Sequence, residues 1–173
     1  PVMLFVGSDN HLNVKGLEDF LRFAWPLIHR EVPGAELQVA GAVGLRVEVD
    51  DPAVKIMGRV EDLAAAYARA RVVINPSVAG TGLKVKTIEA LCHLRPVVAW
   101  PSGVDGIEAE ARALCHIAND WYSFARHVIR LCNEEEAIHA LISKRDEIRR
   151  CFSGDAAYRA LGTALGAVHA ESR

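Results

Sequence analysis

Residues 75 to 99, NPSVAGTGLKVKTIEALCHLRPVVA, set a glycine turn, two lysines and one glutamate between two short apolar runs. The first run, Arg71 to Asn75, is β-branched and ends in Pro76-Ser77, which stops a strand and opens a loop. Val97-Val98-Ala99 reads as the next strand, and Leu83 to Leu94 between them carries apolar residues at helical spacing. Strand, glycine loop, helix and strand in that order is the layout expected of a phosphate-and-sugar pocket at a helix N-terminus. The first N–H groups of a helix have no partner inside it, and its dipole favours an anion there.

At about 100° per residue, Val85, Ile88, Leu91 and Cys92 fall in one stripe expected to face the sheet, with Lys86 and Glu89 on an adjacent, non-core face. Lys84 shares the angular span of the stripe at the very start of the helix, so its ammonium can emerge past the N-terminus. The residues alone leave two readings open. Lys84 and Lys86 meet an anion, or Lys84 merely reaches water while Lys86 and Glu89 form a surface ion pair.

The rest of the chain must position that loop. Its 173 residues suffice for one domain with a proper core. Half of them are apolar and the net charge is -2, a soluble globular composition that points away from nucleic acid. Cys92, Cys115, Cys132 and Cys151 stand apart in apolar-periodic segments and read as reduced, buried thiols, hence a cytoplasmic compartment. No apolar run reaches the length of a membrane span and no signal-like segment is present. The abrupt start at Pro1 suggests a domain of something longer.

Val2 to Gly7 reads as a buried strand, Ser8 to Lys15 as a polar loop, and Leu17 to Ile28 as a helix bent at Pro26. Strands follow at Glu36 to Ala40 and Val54 to Met57, then a helix from Glu61 to Arg71. Gly41 to Pro52 reads as loop or irregular hairpin. Leu114 to Ile117 is the last short strand, and helices are expected over Trp121 to Cys132, Glu134 to Cys151 and Asp155 to Ala170. Alternating strands and helices predict an α/β fold: a single Rossmann-like, doubly wound parallel sheet of about six strands with helices on both faces and a C-terminal helical extension. The core is placed at 1–118 and the helices at 119–173. In such folds ligands bind at the carboxyl ends of the strands, near the point where strand order reverses. The candidate loops are Gly7 to Gly16, Gly58 to Val60, Asn75 to Gly82 and Pro101 to Ile107; the last is either a pocket wall or a glycine-rich turn.

G-T-G-L-K-V-K-T-I-E-A-L, then R-P-V-V-A and G-V-D-G-I, resembles the donor-binding segment of family-4-type retaining glycosyltransferases. F-V-G-S at 5–8, N-V-K-G at 13–16, P-G-A-E-L-Q-V-A-G at 33–41 and M-G-R-V-E-D-L at 57–63 fall in the family's order, so the likeness covers residues 2–107. It implies the C-terminal, nucleotide-sugar-binding lobe of a two-lobed GT-B enzyme, with the N-terminal acceptor lobe outside this chain. The implied reaction moves a sugar from a nucleoside diphosphate such as UDP or GDP to an acceptor hydroxyl with retention, and no metal or other cofactor is required.

By the same resemblance Glu89 accepts hydrogen bonds from the ribose, and Gly80, Thr81, Gly82 and Leu83 offer N–H groups to the diphosphate. Lys84 or Lys86 adds charge, with Lys84 and Glu89 taken as the catalytic pair. Lys15 matches the family's first-loop lysine, Gly7 and Ser8 belong to that first loop, and Arg59 and Val60 lie where the nucleobase is touched. Two features depart from the family: Thr81 stands where the commoner form has a sugar-binding glutamate, and Ser8-Asp9 replaces its first-loop arginine. The implied partners are the sugar donor and an acceptor glycan or lipid-linked sugar, with peripheral membrane contact of the full-length enzyme left open. Lys144, Arg145, Arg149 and Arg150 form the main basic cluster, a solvated helix face or a membrane contact. The rival readings are a lobe that binds nucleotide without catalysis and another two-lobed enzyme, such as an epimerase or a phosphorylase.

Overall fold

The computed structural model describes residues 1–80 and 82–153. The strands are β1 (Val2–Val6), β2 (Glu36–Ala40), β3 (Val54–Gly58), β4 (Val72–Asn75), β5 (Val97–Ala99) and β6 (His116–Ile117). They form one sheet in the order β3-β2-β1-β4-β5-β6, and every pairing is parallel. Strand order reverses between β1 and β4, the switch point of a doubly wound fold.

Alternation along β1 sends Met3 and Phe5 to one face and Leu4 to the other. The first face is covered by α1 (His11–Asp19), α2 (Trp25–Glu31) and α6 (Trp121–Asn133), with Leu17, Phe20, Ile28, Phe124 and Val128 fully buried. The second is covered by α3 (Leu63–Arg69), α4 (Val85–Cys92), α5 (Ala109–Arg112), α7 (Glu136–Ser143) and α8 (Arg145–Cys151), with Tyr67, Ala90, Leu91 and Ile148 inside.

Several boundaries differ from the sequence reading. Helix α1 begins at His11, inside the expected polar loop, because Asn10 caps it by accepting the Asn13 N–H. Its buried positions there are Asn13 and Gly16, which carry no apolar periodicity to be read. The bend expected at Pro26 is a π-helical turn, Phe20–Ala24, where the Trp25 N–H reaches back to the Phe20 carbonyl just ahead of the proline. The span 41–52 holds a 3-10 turn, Ala42–Arg46. The expected helix from Glu134 to Cys151 is two helices broken at Lys144, and Asp120 closes a capping box with Ser123 at the start of α6. The helix expected from Asp155 lies outside the described residues.

Of the four thiols only Cys132 is buried; Cys92 is exposed, and Cys115 and Cys151 lie between, all four free. The basic cluster is divided, with Lys144 paired to Glu147 at 2.9 Å while Arg145, Arg149 and Arg150 are exposed. Among the described residues no helix is long and apolar enough to cross a membrane.

Candidate functional site

The carboxyl ends of β1 and β4 are tied together by polar side chains. Asn13, 3% exposed on α1, donates its amide to the Ser8 carbonyl at 3.0 Å and accepts the Ser77 hydroxyl at 3.2 Å. Gly16 makes the approach possible, since a Cβ there would stand 2.8 Å from the Pro76 carbonyl oxygen. Gly41, at φ +95°, packs on the first loop so closely that a Cβ would meet the Gly7 oxygen at 2.2 Å. The Gly7 N–H in turn bonds the Ala40 carbonyl at 2.9 Å.

A cavity of about 120 Å³ opens beside this junction, at the N-terminus of α4. Gly80, Gly82, Lys84, Lys86, Ser77 and Ser102 line it. Lys84 sits at the N-cap position without a side-chain cap bond, so among the described residues the first-turn N–H groups of α4 are left for another acceptor. Its ammonium donates to the Gly80 carbonyl at 2.8 Å and so folds back over the loop. Burial holds the Lys86 ammonium below the ordinary lysine range; Glu89 opposes that shift and Lys84 adds to it. One anion at this helix end would meet two lysines and the free N–H groups together.

The floor is built from buried polar residues. Thr87, fully buried, donates its hydroxyl to the Gly103 carbonyl at 2.7 Å and accepts the Asn75 amide at 3.2 Å. Asn75 is 5% exposed, and its Oδ1 has no partner among the described residues. Gly103 is held close, because a Cβ there would lie 2.9 Å from the Asn75 amide nitrogen. The loop after β5 is thus a pocket wall, joined through Thr87 to the helix carrying the lysines.

The helix is rotated from its expected orientation. Thr87, Ala90 and Leu91 face the core, whereas Val85 is 51% exposed and Cys92 is also exposed. Periodicity counted Thr87 as polar, and the core accepts it because its hydroxyl is fully used. Glu89 remains half-buried on the side of Lys86 and accepts the Tyr67 hydroxyl at 3.0 Å on Oε2. Tyr67 is fully buried, with its ring stacked on His93 at 4.4 Å and 8°. Burial first, and the Glu89 carboxylate second, push the Tyr67 phenol well above its usual range, so it stays a donor.

The expected site residues are only partly brought together. Gly80, Gly82, Leu83, Lys84 and Lys86 share the cavity, while Glu89 lies one helical turn beyond its lining. Lys15 pairs with Asp19 and borders a separate cavity of about 340 Å³ with Asp9, Glu18 and Arg46. The Ser8 hydroxyl oxygen accepts the side-chain amides of Asn10 at 3.1 Å and Asn13 at 3.3 Å. Gly7 is buried under the first loop, Arg59 is exposed and away from the cavity, and Val60 is half-buried against the α3–α4 side of the core. Thr81 lies outside the described residues. Asn13 and Asn75 fall within the candidate loops without a role of their own, and Tyr67 and Thr87 lie outside them; the local hint is polar residues at core-facing positions next to glycine loops.

The family model described as "Glycosyl transferases group 1" matches residues 1–134. An "Uncharacterized 44.6 kDa protein in cps region" of Klebsiella pneumoniae is 30% identical over 141 residues, covering 73% of this chain and 36% of its own length. The chain therefore spans about a third of that relative. Among solved structures, the C-terminal domain of a glycosyl transferase group 1 family protein from Francisella tularensis has a TM-score of 0.66 at 14% identity, covering 86% of this chain and 84% of that one. A S. aureus TarM variant in complex with Fondaparinux, alpha-GlcNAc-glycerol and UDP gives 0.67 at 18%, covering 88% and 32%. Anabaena HepE in complex with UDP and glucose gives 0.65 at 16%, covering 95% and 48%. By the match over residues 1–134 the chain belongs to the group 1 glycosyl transferases, and its sheet is the C-terminal lobe of their GT-B fold.

Proposed function

We propose that this lobe binds the nucleoside-diphosphate sugar of a hexosyltransferase that acts in polysaccharide or glycolipid synthesis with retention. The observation that carries this reading is the cavity at the N-terminus of α4, beside the switch point at the carboxyl ends of β4 and β5 and lined by Gly80, Gly82, Lys84 and Lys86. The diphosphate takes the free N–H groups and the lysine charge, and Glu89 takes the ribose hydroxyls one turn along the helix. The protein's main contribution to transfer is electrostatic: donors already in place stabilise the negative charge that develops on the departing diphosphate. The cps-region relative and the UDP complexes of TarM and HepE support the polysaccharide context and the donor class. The acceptor and its binding lobe belong to the remainder of a longer enzyme that works in the cytoplasm.

Titration of this chain with UDP, GDP and ADP, followed by amide shifts, tests the reading. Shifts concentrated at residues 75–89 and 102–103 are expected. Absence of binding by all three nucleotides would sink it.

A further inference from the structure

Tyr67 lies on α3, 22 residues before Glu89, and the fold brings its hydroxyl to 3.0 Å from Glu89 Oε2. Nothing else about this tyrosine requires a hydroxyl. It is fully buried in the apolar core between the sheet and α4, where a phenylalanine would fill the same space. Its ring cannot turn away, since it is enclosed on that side and stacked on His93 at 8°. Glu89 Oε1 accepts no hydrogen bond from the described residues, and the half-buried carboxylate keeps contact with solvent through it. A helical rise of about 1.5 Å per residue places Glu89 about 4.5 Å along the axis from Lys86, which lines the anion cavity.

We propose that Tyr67 is a positioning residue for nucleotide recognition: its hydroxyl holds one oxygen of Glu89 so that the other is presented, in one rotamer, to the vicinal hydroxyls of the ribose. This rests on the reading of Glu89 as the ribose acceptor. A glutamate side chain free in solution samples many rotamers, and ordering it costs conformational entropy at the moment of binding. The bond from a buried phenol removes part of that cost before the ligand arrives. The contact selects for ligands that carry a ribose and does nothing for the diphosphate alone.

The test is calorimetric titration of the wild-type chain, Tyr67→Phe, Glu89→Ala and the double variant with UDP, GDP and ADP, and separately with inorganic pyrophosphate. Tyr67→Phe should weaken the nucleotide that binds by about three- to tenfold, leave pyrophosphate within about twofold, and add nothing further in the Glu89→Ala background. Loss of ribose selectivity in Glu89→Ala together with unchanged nucleotide affinity in Tyr67→Phe would overturn the positioning role while the ribose contact stands. Equal weakening of nucleotide and pyrophosphate by Tyr67→Phe would overturn it as well, showing that the hydroxyl acts through the fold. An equal effect of Glu89→Ala on both ligands would remove the ribose contact, and the proposal with it.

Discussion

Ser77 gives its hydroxyl to Asn13 at 3.2 Å across 64 residues of sequence, joining the loop after β4 to the helix after β1. Both side chains are buried, and Asn13 also holds the Ser8 carbonyl. The bond therefore closes the crevice at the point where the sheet reverses. Asn13→Ala leaves the Ser77 hydroxyl and the Ser8 carbonyl without this partner, and unsatisfied buried groups cost about 1–3 kcal/mol each. The expected loss in urea unfolding is about 2–4 kcal/mol, with nucleotide binding weakened in the same variant. A loss under about 0.5 kcal/mol, the usual range of surface substitutions, would show that the bond does not brace the site.

Glycines at positive φ are not equivalent in this fold. Gly41 has φ +95° and a Cβ there would overlap the Gly7 oxygen, whereas Gly58 has φ +60° with nothing within 4 Å. Gly58→Ala should cost about 1–2 kcal/mol, the strain of left-handed backbone alone. Gly41→Ala must in addition push β1 and β2 apart at their carboxyl ends, so its cost should exceed that of Gly58→Ala by at least about 2 kcal/mol. Thermal unfolding of the two variants side by side settles the order.

Thr87 serves two buried partners at once. Thr87→Val preserves shape and removes the hydroxyl, stranding the Gly103 carbonyl and the Asn75 amide. The expected cost is about 2–4 kcal/mol. Thr87→Ser, which keeps the hydroxyl and loses one methyl, should cost about 1 kcal/mol. If denaturant unfolding shows the valine variant to be the more stable of the two, the polar floor is not what fixes the loop after β5.

The Lys86 ammonium is held below its ordinary pKa by burial, so its charge is a cost to the fold and an asset to anion binding. Below both its pKa values the folded and unfolded states bind the same proton and the cost is fully present. Between the depressed folded value and the unfolded one the unfolded chain binds the extra proton, so stability rises with pH across that window. Lys86→Met should leave the melting temperature unchanged or raise it, and should weaken pyrophosphate by about tenfold, as expected for a charge-assisted hydrogen bond. The wild-type advantage over Lys86→Met in pyrophosphate binding should fade as pH rises, and fade earlier than an exposed lysine would allow. Calorimetry from neutral to alkaline pH measures both.

His116, on edge strand β6, is lowered from 6.5 to about 4, first by burial and then by Arg130 and His127. Arg130 can only donate, so the 2.9 Å contact to His116 Nδ1 fixes the neutral tautomer with its proton on Nε2. Above the unfolded value neither state binds the proton and no stability is lost. As pH falls from about 6.5 towards about 4 the unfolded chain binds it first, and stability declines. With the partial exposure of this ring, solvent screening reduces the loss to about 1–2 kcal/mol. His116→Gln should flatten the decline; an unchanged slope between pH 7 and pH 4 would assign it to other groups.

The sequence by itself determined the order of the six strands and most of the helices that join them, because periods of 2 and 3.6 are local and each apolar run records its own element; the short α5 and the break at Lys144 leave no such record. It also determined that the glycine loop ends up at the carboxyl edge, and that Lys86 and Glu89 share a face of α4. The orientation of that helix was decided only in three dimensions. Thr87 can face the core because Gly103 and Asn75, from β5's loop and β4's end, complete its hydrogen bonds, and no local pattern announces a partner supplied from elsewhere. The same holds for Asn13 with Ser77 and for Tyr67 with Glu89. Lys15 shows the converse: its motif is local and legible, yet the fold turns its ammonium to Asp19 and places it beside a different cavity. Residue types fix what chemistry a loop can offer; which polar groups are buried, paired and aimed at one point depends on contacts between distant segments, and those exist only once the sheet has closed.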